Sequence, residues 1–390
     1  MDDWELRGDG FGDPREIQFK AMRIIRDIYA RNGIKGSFNV EVYQQLAYLK
    51  LADEYPELKR CAQEWEDVVL ETYQQGHDIQ FHWHAQWSQA SYDNEEWTLN
   101  GSWSLPTYQP DEIVSMLSTG KAYLEALIQR VDPDYRCVSF RSGSWAVAPS
   151  PSLLKILADL GFLFDMSNVG GLMKAANSPA PLDYSSIDED FLPYYPRMDD
   201  ARRVAETPSD IIELPTCSFT PSLLLNFFDI KDKVQYRVLK RLQEKIRKKQ
   251  PNTTAAHRKV NYNVWDRYST NSMKLSVMRS LVKPRRIIAD LSALNFSLMK
   301  HMLDTIRERS TAYNADVLPI ILENHTKNVK DWSDIERFAK YLAKQDDIDV
   351  ITLAETAKLI QNGKINIRTA YSEKTDTLFA PNTQEEPHIS

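Results

Sequence analysis

Short apolar segments alternate with longer amphipathic segments along most of this chain, and that alternation constrains the fold more than any other feature. The predicted strands are residues 36–42, 78–84, 137–141, 162–167, 211–216, 286–291, 317–325 and 348–353. Predicted helices separate nearly all of them, a pattern typical of an α/β fold with parallel strands. We therefore predict about seven or eight parallel strands. Residues with chemistry follow the strand C-terminal ends, which in a β/α barrel form the active-site face.

The predicted helices begin and end at recognisable signals. Residues 14–32 are predicted to form a helix with Pro14 in its first turn and Gly33 at its end. Further helices are predicted at 58–75, 111–131, 152–160, 221–248, 271–282, 294–309 and 331–345. Residues 87–108 are predicted to form a loop over the site, and 168–210 to be irregular. The tail at 363–390 lacks apolar periodicity and is predicted to be disordered.

Composition and charge exclude several classes of partner. The net charge of −7 argues against a nucleic-acid-binding or anionic-membrane surface. No apolar run approaches the length of about 18 residues that a transmembrane helix needs. The three cysteines, Cys61, Cys137 and Cys217, are far apart and form no CxxC pair, so a reducing compartment is expected. With an acidic, polar N-terminus in place of a signal peptide, the sequence predicts a cytoplasmic protein.

The segment GHDIQFHWHAQW at 76–87 carries three of the seven histidines. Because side chains alternate between the two faces of a strand, Asp78, Gln80, His82 and His84 share one face. Two histidines two residues apart can reach one metal ion, whereas His77 has the opposite parity. The alternative is that both histidines are hydrogen-bonded core or rim residues. A buried row of four polar groups favours the metal, because each group needs a partner.

A hydrolytic metal site also requires a carboxylate ligand and an open position for water. The adjacent pair Asp2-Asp3 is the candidate, because neighbouring residues can divide the roles of metal ligand and general base. The alternative is that two acidic residues at a terminus are solvated and mobile.

Together these segments resemble the polysaccharide deacetylase family, the NodB-like carbohydrate esterases. The family's motifs are an Asp-Asp pair, a GHEIGxHxxxH-like strand, an Arg-centred motif and a late strand that ends in a lone histidine. They match, in the same order, DDW at 2–4, GHDIQFHWHAQW at 76–87, FRSGSW at 140–145 and ENH at 323–325. The resemblance extends over residues 2–362 and includes a closing strand and helix, IDVITLAETAKLI at 348–360.

The resemblance implies a deformed (β/α)7-type barrel of the glycoside hydrolase/deacetylase type, with irregular insertions. Its domain is expected at residues 1–362, with a helical insertion at about 218–285. In this reading Asp3, His82 and His84 bind the metal, Asp2 is the general base, and Arg141 holds that base ionised. His325 is the general acid that protonates the leaving amine, a role that suits the pKa of imidazole. Asp165 is a weaker match for the residue that orients His325.

Three departures from the family pattern bear on these assignments. Gln86 stands where the family has its second histidine ligand, so His84 is expected to replace that ligand, with Gln86 a poorer substitute. The Arg-centred motif lacks the family's proline. No strand precedes Asp2-Asp3, which leaves the pair without an expected anchor.

The expected activity is metal-dependent removal of N-acetyl or O-acetyl groups from a glycan or sugar intermediate. Zinc is the default ion for two histidines and an aspartate, and the same set also holds Co, Ni or Fe. Trp87 and Trp145 are expected to stack on sugar rings, although core or lid packing is an equal alternative. Two other functions stay open: hydrolysis of a small non-sugar amide, and carbohydrate binding by an inactive relative. The sequence does not indicate an oligomeric state.

Overall fold

The computed structural model describes residues 1–149, 151–174, 176–187, 192–223, 225, 286–313, 315, 317–329 and 331–370. Most of the predicted insertion at 218–285 and most of the predicted tail at 363–390 lie outside the described residues. The α-helices are α1 Lys20–Arg31, α2 Val42–Leu51, α3 Pro56–Gln74, α4 Pro110–Ile128, α5 Leu153–Asp159, α6 Phe296–Ser310, α7 Trp332–Leu342 and α8 Leu353–Gln361. A π-helical turn, Arg15–Phe19, precedes α1.

The strands are short and most of them lie in the first half of the chain. They are β1 Asp2–Trp4, β2 Ser37–Glu41, β3 Asp78–Trp83, β4 Ala90–Asp93, β5 Glu96–Leu99, β6 Ser139–Ser142, β7 Phe164–Asp165, β8 Met173–Lys174, β9 Leu182–Asp183, β10 Pro196–Arg197, β11 Asp200–Val204, β12 Ile212–Glu213, β13 Ser218–Phe219 and β14 Ile287–Ile288. Short 3₁₀ turns follow β3, β6 and His325, at Ala85–Gln89, Gly143–Trp145 and Thr326–Asn328.

A six-stranded parallel sheet organises the molecule, in the order β1-β2-β3-β6-β7-β12. This arrangement confirms the predicted mixed α/β fold with parallel strands. Consecutive strands are parallel because a helix returns the chain between most of them. All their C-terminal ends therefore lie at one edge of the sheet.

Backbone hydrogen bonds continue beyond the six strands to the late part of the chain. Ile321 O accepts from Cys217 N at 2.8 Å, and Asn324 O accepts from Asp3 N at 2.8 Å. Ala289 is bonded to both Cys217 and Glu323. These bonds place residues 321–325 beside β1, although more than 300 positions separate the two segments in sequence.

Aromatic side chains cover the helix-facing side of the sheet. Phe81 and Phe140 stack at 6.1 Å between ring centroids, and Phe162 lies 5.8–5.9 Å from both. Burying one such ring contributes roughly 1.5–3 kcal/mol, which fixes the face that each strand turns inward. Gly120 of α4 permits this packing, because a Cβ there would lie 2.7 Å from the Phe81 ring. The residues between these aromatics, such as His82 and Arg141, must point to the opposite face.

The expectation that Asp2-Asp3 lacks an anchor is wrong. Both residues lie within β1, which pairs in parallel with β2 through Asp2–Phe38 and Asp3–Asn39. Trp4 is fully buried, and its indole N–H donates to the carbonyl of Gln18 at 2.8 Å. The pair is therefore an integral part of the sheet.

The predicted loop at 87–108 contains a β-hairpin formed by β4 and β5. Its two central residues, Asn94 and Glu95, have φ of 50° and 61°, as a tight two-residue hairpin turn requires. Trp97 packs the hairpin against the rest of the protein. Its ring centroid lies 5.7 Å from that of Tyr48 and 5.1 Å from that of Trp87. Aromatic packing thus orders a segment whose polar composition predicted a loop.

Three late predicted strands differ in the structure. Residues 286–291 contribute only β14, which runs antiparallel to β13. Residues 317–325 form isolated bridges, because Ile321 pairs with Thr216 whereas Glu323 pairs with Asp290. Residues 348–352 form no strand in the described structure. Thr352 is instead the N-cap of α8 and forms a capping box with Glu355.

Candidate functional site

The candidate site forms where the inward faces of β1, β2, β3 and β6 meet. Glu41 is in register with His82, and His82 with Arg141. Asp3 and Glu5, two residues apart, extend from the same face of β1 and the residues that follow it. All five side chains are buried. This concentration of charge requires internal partners, because water is excluded.

Glu5 lies at the centre of the first group of side chains. One of its oxygens, Oε2, contacts His84 Nε2 and lies 3.3 Å from His82 Nε2. Its other oxygen contacts the ammonium of Lys327. Burial would raise the pKa of Glu5, but His84, Lys327 and His82 together hold that pKa well below its usual value. Glu5 is therefore ionised.

Glu41 completes this group and also organises the backbone around it. Its two oxygens accept from His84 N at 2.6 Å and from Tyr43 N at 3.0 Å, so it caps α2 and fixes the end of β3. Burial raises its pKa to about 8. The potential ligand atoms of Glu5, Glu41, His82 and His84 all lie within 4.8 Å of one another. The buried group could hold a metal ion.

The hydrogen bonds of His82 define where its proton lies. Nδ1 is 3.0 Å from the carbonyl oxygen of Arg141, which can only accept, so Nδ1 must donate. In the neutral ring the Nε2 lone pair then faces the Glu5 carboxylate at 3.3 Å. Two acceptors that face each other require a proton or a cation between them. Burial lowers the pKa of His82, but Asp3 and Glu5 outweigh it, and the pKa is raised.

His84 has the opposite arrangement. The Gln86 side-chain nitrogen lies 3.0 Å from the carbonyl of Gly8 and 2.8 Å from His84 Nδ1. An amide nitrogen only donates, so Nδ1 accepts and Nε2 carries the proton that faces Glu5. Burial lowers the pKa of this ring, which keeps it neutral. Gln86 thus fixes the tautomer of His84 by donating to its Nδ1, and does not join the group of potential ligands.

A second group of charges surrounds Arg141, which is fully buried. Its Nε donates to Asp3 Oδ2 at 2.7 Å, and a terminal nitrogen donates to Glu323. Asn39 donates to the other oxygen of Asp3 at 3.0 Å. Burial would raise the pKa of Asp3, but Arg141 and the nearby histidines hold it well below its usual range. Asp3 is therefore an ionised carboxylate that Arg141 and Asn39 keep in one orientation.

His325 faces this carboxylate from the adjoining segment. Its Nε2 lies 3.5 Å from Asp3 Oδ2, and its Nδ1 lies 3.0 Å from Asp290 Oδ2. Burial lowers its pKa, but the carboxylates of Asp290, Glu323 and Asp3 raise the pKa to about 9. The pKa of Asp290 is lowered in turn, because His325 outweighs its burial. His325 is consequently protonated at neutral pH, and the ring is oriented by a carboxylate on its far side.

Trp145 forms part of the wall of this second group. Its ring lies 5.9 Å from that of His325, and its indole nitrogen is 3.4 Å from Glu323 Oε2. Ser144 and Trp145 both have φ of 60°, a conformation that non-glycine residues rarely adopt. Lys174 and Tyr184 bond the two carbonyls of this turn. Such strained backbone at a cluster of buried charges is frequent at functional sites.

The structure brings most of the predicted site residues together, but in two groups. His82 and His84 lie with Glu5 and Glu41, whereas Asp3 lies with Arg141 and His325. Asp2 has the opposite parity to Asp3, and its carboxylate accepts from Asn324. Burial raises the pKa of Asp2 to about 7. Arg141 therefore contacts Asp3 and not Asp2.

Two other predicted residues have partners different from those expected. Trp87 is 3% exposed and packs with Leu6 and Ala47. Asp165 accepts from the hydroxyl and backbone N–H of Ser167, and the residue that contacts His325 is Asp290.

Sequence reasoning missed Glu5, Glu41, Asp290 and Lys327. Two of them carried a usable signal. Glu5 follows Asp3 by two residues and so has the parity of the inward face, and Asp290 ends the predicted strand 286–291 with a carboxylate. No local pattern distinguishes Lys327 from the other lysines, because its contact with Glu5 spans 322 positions.

Comparisons with known proteins give only remote likenesses. No family model and no curated protein matches this chain. A Mycobacterium smegmatis structure described as a "putative polysaccharide deacetylase" is 15% identical, with a TM-score of 0.42, and the match covers 90% of this chain and 79% of that one. A 4-alpha-glucanotransferase from Thermococcus litoralis is 12% identical, with a TM-score of 0.44, and the match covers 92% of this chain and 39% of that one. At these TM-scores neither likeness carries the assignment of an activity.

Among the described residues, no helix is long and apolar enough to cross a membrane. The finding agrees with the absence of any long apolar run in the sequence.

Proposed function

We propose that this protein is a metal-dependent hydrolase that removes acetyl groups from the nitrogen of a sugar or glycan. One observation carries the proposal: an ionised carboxylate and a protonated imidazole, Asp3 and His325, lie 3.5 Å apart beside a buried group of two histidines and two glutamates. Hydrolysis of an amide needs a base for water and an acid for the leaving amine. Asp3 and His325 have the protonation states that these roles require.

The side chains that would hold the metal are Glu5 and His82, with Glu41 within reach. His84 would join them through Nε2 once its proton moves to Nδ1 and the Gln86 amide turns its oxygen to accept that proton. His82 fits a cation best, since its Nε2 lone pair faces the Glu5 carboxylate while its Nδ1–H is fixed by a backbone carbonyl. This ligand set suits zinc, and also Co, Ni or Fe. A bound ion would supply Lewis acidity, polarising the substrate carbonyl and making water more acidic.

The assignment revises two roles expected from the family resemblance. We propose Glu5 in place of Asp3 as the carboxylate ligand, because Glu5 and not Asp3 contacts the two histidine rings through Nε2. We propose Asp3 in place of Asp2 as the base, because Arg141 bonds Asp3.

The remaining chemistry follows from the positions of the side chains. Asp3 accepts a proton from water as the water oxygen bonds to the acetyl carbon, and Arg141 keeps the Asp3 carboxylate oriented. His325 gives its Nε2 proton to the amide nitrogen as the carbon–nitrogen bond breaks. Asp290 holds the Nδ1–H throughout, so the ring keeps its orientation when the Nε2 proton leaves. The products are acetate and a free amine.

We further propose that the sheet curves into a deformed barrel within residues 1–362. The support is the series of backbone bonds that joins residues 212–217 through 289 to 321–324, and from there to β1. A barrel would direct the C-terminal ends of β1, β3 and β6 into one mouth, where a sugar ring can lie against Trp145.

A small non-sugar amide is the second candidate substrate. The observation that favours it is the burial of Trp87, which leaves Trp145 as the only one of the two predicted stacking residues beside the described charge groups. A small amide needs less aromatic surface than a glycan chain.

The test is acetate release from N-acetylglucosamine oligomers, compared with hydrolysis of simple cyclic amides, by zinc-loaded protein. His82→Ala should lose bound zinc and activity together, because it removes a ligand. His325→Ala should keep stoichiometric zinc and lose turnover by roughly 10²-fold or more, as removal of a general acid does. Full activity of His325→Ala would refute the acid assignment. Hydrolysis of the cyclic amides alone would favour the second candidate.

A further inference from the structure

The ammonium of Lys327 shares the Glu5 carboxylate with the two histidines. Its side chain is 10% exposed, and Nζ contacts Glu5 Oε1 and lies 3.4 Å from the carbonyl of Leu6. The opposite oxygen, Oε2, faces the Nε2 atoms of His82 and His84. The buried Glu5 carboxylate therefore pairs with the Lys327 ammonium through one oxygen and faces the proposed metal-binding atoms of the histidines with the other.

This arrangement has two consequences that act in opposite directions. Without a metal ion, Lys327 compensates the charge of Glu5, which would otherwise be expensive to bury. A divalent ion on Oε2 would lie close to an ammonium on the same carboxylate, and like charges repel strongly in a poorly hydrated interior. The Lys327–Glu5 ion pair therefore stabilises the metal-free site and weakens the binding of a divalent ion.

Lys327 also has space to move. It lines a cavity of ≈ 210 Å³ together with Lys20, Glu16 and Trp332. Lys20 pairs there with Glu16 at 2.9 Å. Because Lys327 lines this cavity, the cavity offers its side chain an alternative to the contact with Glu5.

We propose that Lys327 is a built-in competitor for the divalent cation, which holds Glu5 in place in the metal-free protein and weakens metal binding. The inference rests on the proposed metal centre, because Glu5, His82 and His84 are its ligands. Its consequence is that the metal affinity of this protein is set by an ion pair as well as by the ligands.

The experiment compares zinc binding and thermal unfolding of the full chain with those of Lys327→Met, Lys327→Arg and Lys20→Met. Zinc affinity is measured by competition with a chromophoric chelator, and unfolding is followed with the ion removed. Lys327→Met should bind zinc at least tenfold more tightly and unfold several degrees lower when metal-free. Lys327→Arg keeps the charge and should resemble the wild type. Lys20→Met is the matched control, because this exposed lysine lines the same cavity and does not contact Glu5, and both readouts should be unchanged.

Each outcome separates this inference from the proposed function. Equal zinc affinity in wild type and Lys327→Met would overturn the inference and leave the metal centre intact. Zinc binding by Lys327→Met alone would support it in its strongest form. Failure of both proteins to bind zinc would overturn the inference and the metal centre together. If Lys327→Met does not fold, Lys327→Gln replaces it, since it removes the charge and keeps a donor for Glu5.

Discussion

Single protons distinguish the histidines of this site, although all are imidazoles buried among carboxylates. His82 donates from Nδ1 to a carbonyl, His84 accepts at Nδ1 from Gln86, and His325 donates from Nδ1 to Asp290. In each ring the partner of Nδ1 decides whether Nε2 carries a proton. His82 is suited to bind a cation, whereas His325 is suited to release a proton.

The pH dependence of turnover tests the role of His325. With a pKa near 9, its acid form persists through neutral pH, so activity should fall as pH rises through about 9. Its contribution to folding stability has the same sign, complete below the unfolded pKa near 6.5 and lost as pH rises through about 9.

Asp290→Asn removes the main charge that raises this pKa. The alkaline limb should move to lower pH by about one unit or more, and turnover should fall by roughly 10- to 100-fold.

The measurement is the pH profile of acetate release by zinc-loaded wild type and Asp290→Asn. Zinc content is measured in parallel, because Asp290, Glu323 and His325 form a second group of potential ligands, whereas an ion held by Glu5 and His82 should remain in Asp290→Asn. An alkaline limb that stays in place in Asp290→Asn would rule out His325 as the acid.

At the scale of elements, a three-residue strand carries much of the site. β1 is paired with β2, but Glu5 lies just beyond its end and needs other support. Gln18, in the π-helical turn before α1, and Gln44, in α2, supply it. Gln44 accepts from Leu6 N at 3.2 Å and donates to Gln18 at 2.8 Å. Gln18 also bonds the carbonyl of Trp4. The peptide groups on both sides of Glu5 are thus fixed by a buried pair of amides.

Replacing Gln44 with leucine should therefore weaken both stability and metal binding. The substitution leaves Leu6 N–H without its acceptor, and should lower the free energy of unfolding by about 1–3 kcal/mol. Glu5 becomes less well oriented, so zinc affinity should fall by roughly tenfold. Denaturant unfolding and chelator competition measure the two effects. Gln63→Leu, at an exposed position on α3, is the control and should change neither. Unaltered zinc affinity in Gln44→Leu would show that the amide pair does not position Glu5.

The strands differ in how far the sequence predicted them. The early ones agree closely, with 36–42 predicted against Ser37–Glu41, and 78–84 against Asp78–Trp83. Their apolar residues alternate with polar ones, and each strand lies between two neighbours in the sheet. The segment 317–325 is equally apolar, yet its residues bridge different neighbours and form no ladder. Hydrophobicity predicts that a segment is extended, whereas the partners decide whether it is a strand.

For the whole molecule, the site joins residues 3–5 to residues 324–327. Glu5 contacts Lys327, Asp3 contacts His325, and Asp3 N bonds Asn324 O. A ligand that binds Glu5, His82 and His84 therefore stabilises the native arrangement and has no comparable site in the unfolded chain.

Zinc should accordingly raise the unfolding temperature. At a free concentration one hundred times the dissociation constant, the gain is about 2.7 kcal/mol, equivalent to a few degrees for a chain of this size. Scanning calorimetry of the metal-free protein with and without added zinc measures the shift. His82→Ala should show none. A wild-type unfolding temperature that does not respond to zinc would contradict the proposed centre.

The sequence by itself determined the α/β alternation, the common face of His82 and His84, and the place of His325 at the end of an extended segment. These features depend on periodicities of two or of three to four residues, which local sterics and apolar burial impose. Only the tertiary structure decided that Glu5 meets the histidines, that Arg141 holds Asp3, and that Asp290 orients His325. Those contacts join residues 35 to 138 positions apart, and the order and register of the extended segments bring them together.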